Sequence, residues 1–394
     1  MKTKQRLTVL VVAFFMSMCF GAGYAWSVFA QNLHKNHNFH MRDAQMVFGI
    51  FQVFFAVGLI IGGRLVKKTG PRLLAFIGGV VMGVGFFAAG QFKPEPLILI
   101  IAVGMLGGGG AGLAYICPLE TVQKCFPDKK ALVTGISVSG LGIGTLLLTI
   151  GADSLLKSGV PVTEVLKYTG VLVLLLICTM SFFLKTPVEV NCKKEEIQPL
   201  KYKEIFGSKM FWALFAAMSS SLFAGLMVIG NMKSLGMKWG IAEASATIGV
   251  SVLALSNSGG RMLWGFIIHK IGEVKSIYIS ILLQAVVMLA AAFFIDNVFM
   301  YYIFALLAGL NYGCVLVVYA SSVSRYFGIE RLGQIYPLIF ASNFISGLTA
   351  PSFGGFVFDK TGSYSYALIF ASGLLIIGVV IFSLLFKAAG APTK

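Results

Sequence analysis

Arg261 is the side chain whose chemistry most needs explaining. It lies in the stretch Ser256–Lys270, reading SNSGGRMLWGFIIHK, eight residues from the polar end at His269 and Lys270. At helical rise that is roughly 12 Å, well inside a bilayer. A guanidinium at such depth costs about 2.5–3.5 kcal/mol on insertion scales, so it faces a protein interior, a partner or a water-filled path. It offers two parallel N–H donors to a carboxylate and keeps its charge at ordinary pH. The other apolar runs supply no acid at comparable depth, since Glu120, Asp153 and Asp359 all lie towards run ends. Arg261 is therefore the candidate anchor for a small organic anion, the alternative being a lock between two helices. Asn257, four residues earlier, shares its helix face. It either orients the guanidinium and touches the same anion, or bridges helices as a buried amide.

Other constellations carry less. His34, His37 and His40 recur at intervals of three, but Lys35 and Arg42 stand among them and no cysteine or carboxylate cluster completes a metal set. They read as a solvated loop, and no metal is expected. Gly107–Gly110 is followed by no GK[ST] and sits in an apolar run, so it serves close helix packing, not phosphate binding. The six cysteines form no CxxC pair and mostly fall in apolar segments, where a thiol acts as a small hydrophobe. No nucleophile with its base and no cofactor motif falls within the apolar runs, so neither an enzyme nor a cofactor is expected.

The elements that must position Arg261 follow from composition. Of 394 residues, 57% are hydrophobic and 12% charged, with a mean hydropathy of +0.87; a soluble domain carries about 25% charged residues. This is an integral membrane chain whose solvent is a lipid bilayer. Its net charge of +16 reads as a topology signal and not as a nucleic-acid footprint. Runs long enough to cross ~30 Å of hydrocarbon fall at about 8–30, 44–66, 73–91, 97–123, 131–153 and 164–185. Six more fall at about 208–232, 244–268, 275–295, 298–324, 332–358 and 365–387. The expected fold is an all-α membrane protein of twelve transmembrane helices. It divides into a six-helix bundle over 1–185, a hydrophilic linker over 186–207 and a second six-helix bundle over 208–394. The first run resembles a signal peptide, but eleven further runs favour a retained helix. Lysines and arginines at alternate span ends number 22 on the side of the N-terminus and eight on the other, Arg261 completing the 31. That excess places both termini and the central loop in the cytoplasm of a multi-pass protein in the cell (inner) membrane.

The halves repeat. Gly63, Lys68 and Gly70 recur as Gly265, Lys270 and Gly272 at an offset of 202; Gly151, Lys157 and Gly159 recur as Gly354, Lys360 and Gly362 at 203; GLAYIC at 112–117 matches GLNYGC at 309–314 at 197. Glycine matches are individually weak, but three nearly equal offsets at equivalent helices indicate duplication. Parallel six-helix repeats with a site near the midplane describe one class of secondary transporter.

The loop Gly63-Arg-Leu-Val-Lys67-Lys-Thr-Gly70-Pro-Arg72 resembles the major facilitator superfamily signature glycine-x-x-x-Asp-basic-x-Gly-x-basic, with Lys67 at the acidic position and His269 in the second copy. The resemblance implies the major facilitator fold, with a gating role for Gly63, Lys67, Gly70, Arg72, Gly265, His269 and Gly272. The altered acidic position departs from the family's charge relay. Gly21-Ala-Gly-Tyr24-Ala-Trp26 resembles the opening of the oxalate/formate antiporter family. The stretch from Pro127 to Gly140 resembles both that family and the related monocarboxylate transporters. On that resemblance Arg261 takes the place of the substrate-binding arginine of helix 8. Asn257 matches an asparagine of the monocarboxylate carriers, and Asn343 stands where the oxalate exchanger has a second cation, a lysine. Tyr24, Tyr115, Tyr319 and Phe340 lie mid-helix on helices 1, 4, 10 and 11, which line the pathway in this superfamily. One internal cation suits a monoanion better than a dianion, because each uncompensated charge in a low-dielectric cavity is costly. The expected function is secondary transport of a small monocarboxylate of the lactate, pyruvate, formate or acetate type, by a carrier working as a monomer. Proton coupling and anion exchange both remain open. The rivals are an oxalate/formate-like dicarboxylate exchanger and a non-transporting carboxylate sensor.

Overall fold

Long apolar runs become helices in a membrane because only a helix satisfies its backbone polar groups within one segment. The structure, a computed structural model, describes residues 3–37, 39, 41–184 and 200–390. His40 and most of the expected 186–207 linker lie outside the described residues, as does the His34 side chain.

The first crossing is split, α1 (Thr3–Phe20) and α2 (Trp26–Asn36) flanking a turn at 21–25. Next come α3 (Met41–Thr69) and α4 (Pro71–Ala89). The fourth crossing joins α5 (Pro96–Leu99), a π-helical stretch Ile100–Gly107 and α6 (Gly108–Cys125). The half closes with α7 (Lys130–Lys157) and α8 (Val162–Ser181). A short α9 (Tyr202–Gly207) leads into α10 (Lys209–Lys238), α11 (Glu243–Ile271) and α12 (Glu273–Phe294). The tenth crossing breaks at Gly313 between α13 (Val298–Tyr312) and α14 (Cys314–Tyr326). The eleventh breaks at Ala341 between α15 (Leu332–Phe340) and α16 (Ser342–Thr361), and α17 (Ser365–Ala388) is the twelfth.

Among the described residues nine helices are long and apolar enough to cross a membrane. The other three crossings are the two broken ones at 21–25 and Ala341, and α11, which carries Ser256, Asn257, Ser258 and Arg261. Broken or polar crossings are the ones a transporter uses to line a path.

The chain forms two compact units, one of residues 1–196 with 332–337 and one of residues 197–331 with 338–394. In the first, α3 lies along α6, α4 along α8 and α1 along α7; in the second, α11 lies along α13, α12 along α17 and α10 along α16. Numbered by crossing, these are 2 on 4, 3 on 6 and 1 on 5 in both units. The duplication extends to backbone conformation. Gly70 (φ 78°, ψ 157°) and Gly272 (φ 84°, ψ 166°) each begin the following helix from a region open almost solely to glycine. Gly159 and Gly362, the pair at offset 203, also have positive φ, 88° and 72°. Space around a Cβ at Gly70 is open, so Gly70→Ala is expected to cost only the backbone strain, about 1–3 kcal/mol. Thermal unfolding of the purified variant in detergent checks this: the midpoint falls while the folded helix content is unchanged.

Candidate functional site

The second unit builds its site on α11. Arg261 is only 2% exposed, and Asn257 lies one turn before it, half-buried. The turn that carries both is clamped by the GLNYGC motif. At Gly313 an added Cβ would lie 2.6 Å from the Arg261 nitrogen and 2.7 Å from the Asn257 carbonyl oxygen, and at Gly309 it would strike Ser256 Oγ and the Leu253 carbonyl. Small residues let the two backbones touch, which fixes where the guanidinium starts from. Two amides brace the frame: Asn311 Nδ2 donates to the Ser280 carbonyl (2.7 Å), tying α13 to α12, and Gln284 Nε2 donates to the Ser221 carbonyl (3.2 Å), tying α12 to α10.

Tyr319 on α14 is 1% exposed; Phe340 and Asn343 stand on either side of the break at Ala341, 3% and 2% exposed. The buried Asn257 Oδ1 and Asn343 Nδ2 have no hydrogen-bond partner among the described residues. Buried polar atoms of this kind are normally satisfied, so each marks a place for a bound polar group or water. An amide presents both a donor and an acceptor, whichever way round its atoms are assigned.

In the first unit, Tyr24 and Tyr115 are brought to one face of α3. Tyr24 meets Phe48 edge-on at 5.7 Å, and its hydroxyl accepts from Gln52 Nε2 at 3.3 Å. Tyr115 packs edge-on against Phe20 (5.8 Å) and Phe55 (5.4 Å). Phe48, Gln52 and Phe55 fall at helical spacing, so one stripe of α3 serves both tyrosines. Gln52 is the residue sequence reasoning passed over. It is 4% exposed and its Oε1 is buried with no hydrogen-bond partner among the described residues. Its signal was a lone amide in the apolar run IFQVFF. Trp26 is buried at 1% exposure and donates to the Ala44 carbonyl at 2.7 Å; Trp264 is buried as well.

Of the expected gating residues, Lys67 and His269 are exposed near the ends of α3 and α11. Arg72 Nε donates to the Leu184 carbonyl (2.7 Å) just past α8, where a cation suits the exposed carbonyls of a helix end. Gly63 packs against the backbone of Gly333, in the 332–337 segment that clusters with its unit, and Gly265 is buried. The sequence reading also missed two ion pairs. Glu120, with a side chain 4% exposed, binds Lys124 at 2.6 Å. Glu273, immediately after Gly272, binds Arg325 and accepts from Ser321 Oγ at 2.8 Å. The second turn thus has a carboxylate four residues beyond the position where His269 stands. Among the described residues, no group of three or more His, Cys, Asp and Glu side chains is arranged to hold a metal ion.

The sequence model of the Major Facilitator Superfamily matches residues 7–294 and 218–394. The chain is 29% identical over 355 residues to the oxalate:formate antiporter of Oxalobacter formigenes, covering 88% of this chain and 82% of that protein. It is 23% identical to human monocarboxylate transporter 14, covering 82% and 79%. Its fold matches the crystal structure of the superfamily transporter FucP in the outward conformation, with a TM-score of 0.75 at 12% identity over 97% of this chain and 99% of that one. A second match is the proton:xylose symporter XylE, with a TM-score of 0.73 at 15% identity over 98% and 96%. With the family model covering nearly its whole length and its helices folding as those transporters do, the chain belongs to the Major Facilitator Superfamily and is a multi-pass membrane transporter.

Proposed function

We propose that the protein carries a small monocarboxylate by alternating access, with Arg261 holding the carboxylate. The observation that carries this reading is a guanidinium 2% exposed on a membrane-spanning helix, beside an amide whose Oδ1 is buried and open to a further hydrogen bond. A carboxylate takes two parallel N–H donors from the guanidinium, while Asn257 and Asn343 supply neutral hydrogen bonds. Tyr319 and Phe340 give the second unit aromatic walls of the kind that exclude bulk water from small-ligand sites, and Tyr24 and Tyr115 give the first unit aromatic surface of the same kind. The excess of basic residues at one set of span ends supports a cytoplasmic location for both termini. The turns at Gly70 and Gly272, with Gly63, Lys67, Arg72, Gly265 and His269, act as the switching elements, and the carrier works as a monomer.

A second reading, exchange of oxalate for formate, is favoured by the 29% identity to the oxalate:formate antiporter. Asn343 argues against it, since a neutral amide leaves a dianion with one cation. Counterflow of labelled lactate, formate and oxalate in proteoliposomes separates the two. Lactate or formate exchange with oxalate at background supports a monocarboxylate carrier, and oxalate exchange at the same rate refutes it. Saturable ligand binding without flux would favour a sensor. The same vesicles, with and without a pH gradient and with and without internal anion, distinguish proton symport from exchange.

A further inference from the structure

The helix α10 presents Trp212, Phe215, Ala216, Ser219 and Phe223 at intervals of three and four, one face of the helix. Over that face lies a cavity of about 370 Å³ between α10, α16 and α17, walled in part by Phe215, Ser219, Ile345, Ser346, Ile377 and Gly378. Its volume is in the roughly 300–1,000 Å³ range of ligand-binding clefts.

Its walls are hydrocarbon in character despite their serines. Ser219 donates to the Phe215 carbonyl (2.7 Å), Ser220 to Ala217 (3.0 Å), Ser342 to Ile339 (2.9 Å) and Ser346 to Ser219 (3.4 Å). With those hydroxyl protons committed, water finds few partners there. The groove is open on one side: Ile345 is 67% exposed and Ile377 55%. Both α10 and α17 are membrane-crossing helices, and what meets exposed apolar side chains on such helices is lipid. From Phe215 to Phe223 the groove runs about 12 Å along α10, within the roughly 15 Å depth of one leaflet.

One end of the groove carries a basic, aromatic collar. Tyr202 stacks on Phe206 (6.3 Å), Phe206 lies against Trp212 (6.3 Å) and Trp212 against Phe215 (5.6 Å), a chain of rings from α9 to the groove wall. Tyr202, Phe206 and Trp212 are 42–45% exposed, as suits rings at the level of lipid headgroups. Trp212 Nε1 donates to the Phe206 carbonyl at 2.7 Å, fixing α9 against α10. Lys201, Lys203 and Lys209 are exposed around these rings, and Lys387 is exposed near the end of α17. Glu204 is turned back to accept from the Lys201 backbone nitrogen at 3.1 Å. Lysines so placed attract anionic lipid.

We propose that this groove and collar form a binding site for one anionic phospholipid, an acyl chain lying between α10, α16 and α17 and the headgroup resting on Lys201, Lys203 and Lys209. The test is native mass spectrometry of the full chain purified with equimolar dioleoyl phosphatidylglycerol and dioleoyl phosphatidylcholine. One lipid per chain is expected, phosphatidylglycerol favoured about tenfold. The triple variant Lys201→Gln, Lys203→Gln, Lys209→Gln is expected to keep a lipid but lose the preference. Ala216→Phe, which fills the groove, is expected to keep neither. Equal retention of the two lipids by the wild type, a preference unchanged in the triple variant, or a lipid-free dimer overturns the proposal. The triple variant alters only exposed side chains, so its result decides the matter even if Ala216→Phe fails to fold.

Discussion

Replacing Arg261 by alanine is expected to lower monocarboxylate counterflow by about 30-fold or more, because truncating one partner of a buried, hydrogen-bonded charge pair costs about 2–5 kcal/mol. The fold should survive. The Arg261 turn is held by backbone contact with Gly309 and Gly313, which truncation leaves intact. Arg261→Lys keeps the charge but gives up the planar two-donor fork, so it should recover only a small part of the rate. Thermal unfolding of each variant in detergent accompanies the flux measurement, so that a loss of transport is not confused with a loss of protein.

Asn343→Lys is expected to shift preference from lactate towards oxalate by about tenfold or more, since a second internal cation compensates the second carboxylate of a dianion. Asn343 is 2% exposed at the start of α16, and its Nδ2 makes no hydrogen bond among the described residues, so little existing bonding is lost. Relative counterflow of the two labelled anions reads out the shift directly. An unchanged ratio in a well-folded variant would remove Asn343 from the account of selectivity.

The burial of Arg261 was legible in the sequence because depth in an apolar run is a one-dimensional property, and the twelve crossings were legible for the same reason. The duplication was legible through glycines whose conformation only glycine adopts: Gly70 and Gly272 both sit at positive φ, so their repetition is a backbone requirement. The breaks at 21–25, Gly313 and Ala341 were not, since the apolar pattern runs across them. Gln52 lay in plain view, but its weight comes from Tyr24, 28 residues away. The Glu273–Arg325 pair spans 52 residues, and no local spacing announces such a contact. The groove between α10, α16 and α17 needs three helices at once, so its residues read in the sequence only as ordinary lipid-facing and packing positions.

The most direct test of the central claim is counterflow of labelled lactate and formate in proteoliposomes holding equal amounts of folded wild-type and Arg261→Ala protein. Saturable exchange by the wild type, with the variant at the level of protein-free vesicles, is the result predicted for a carboxylate anchored on Arg261. Undiminished exchange by the variant would contradict it.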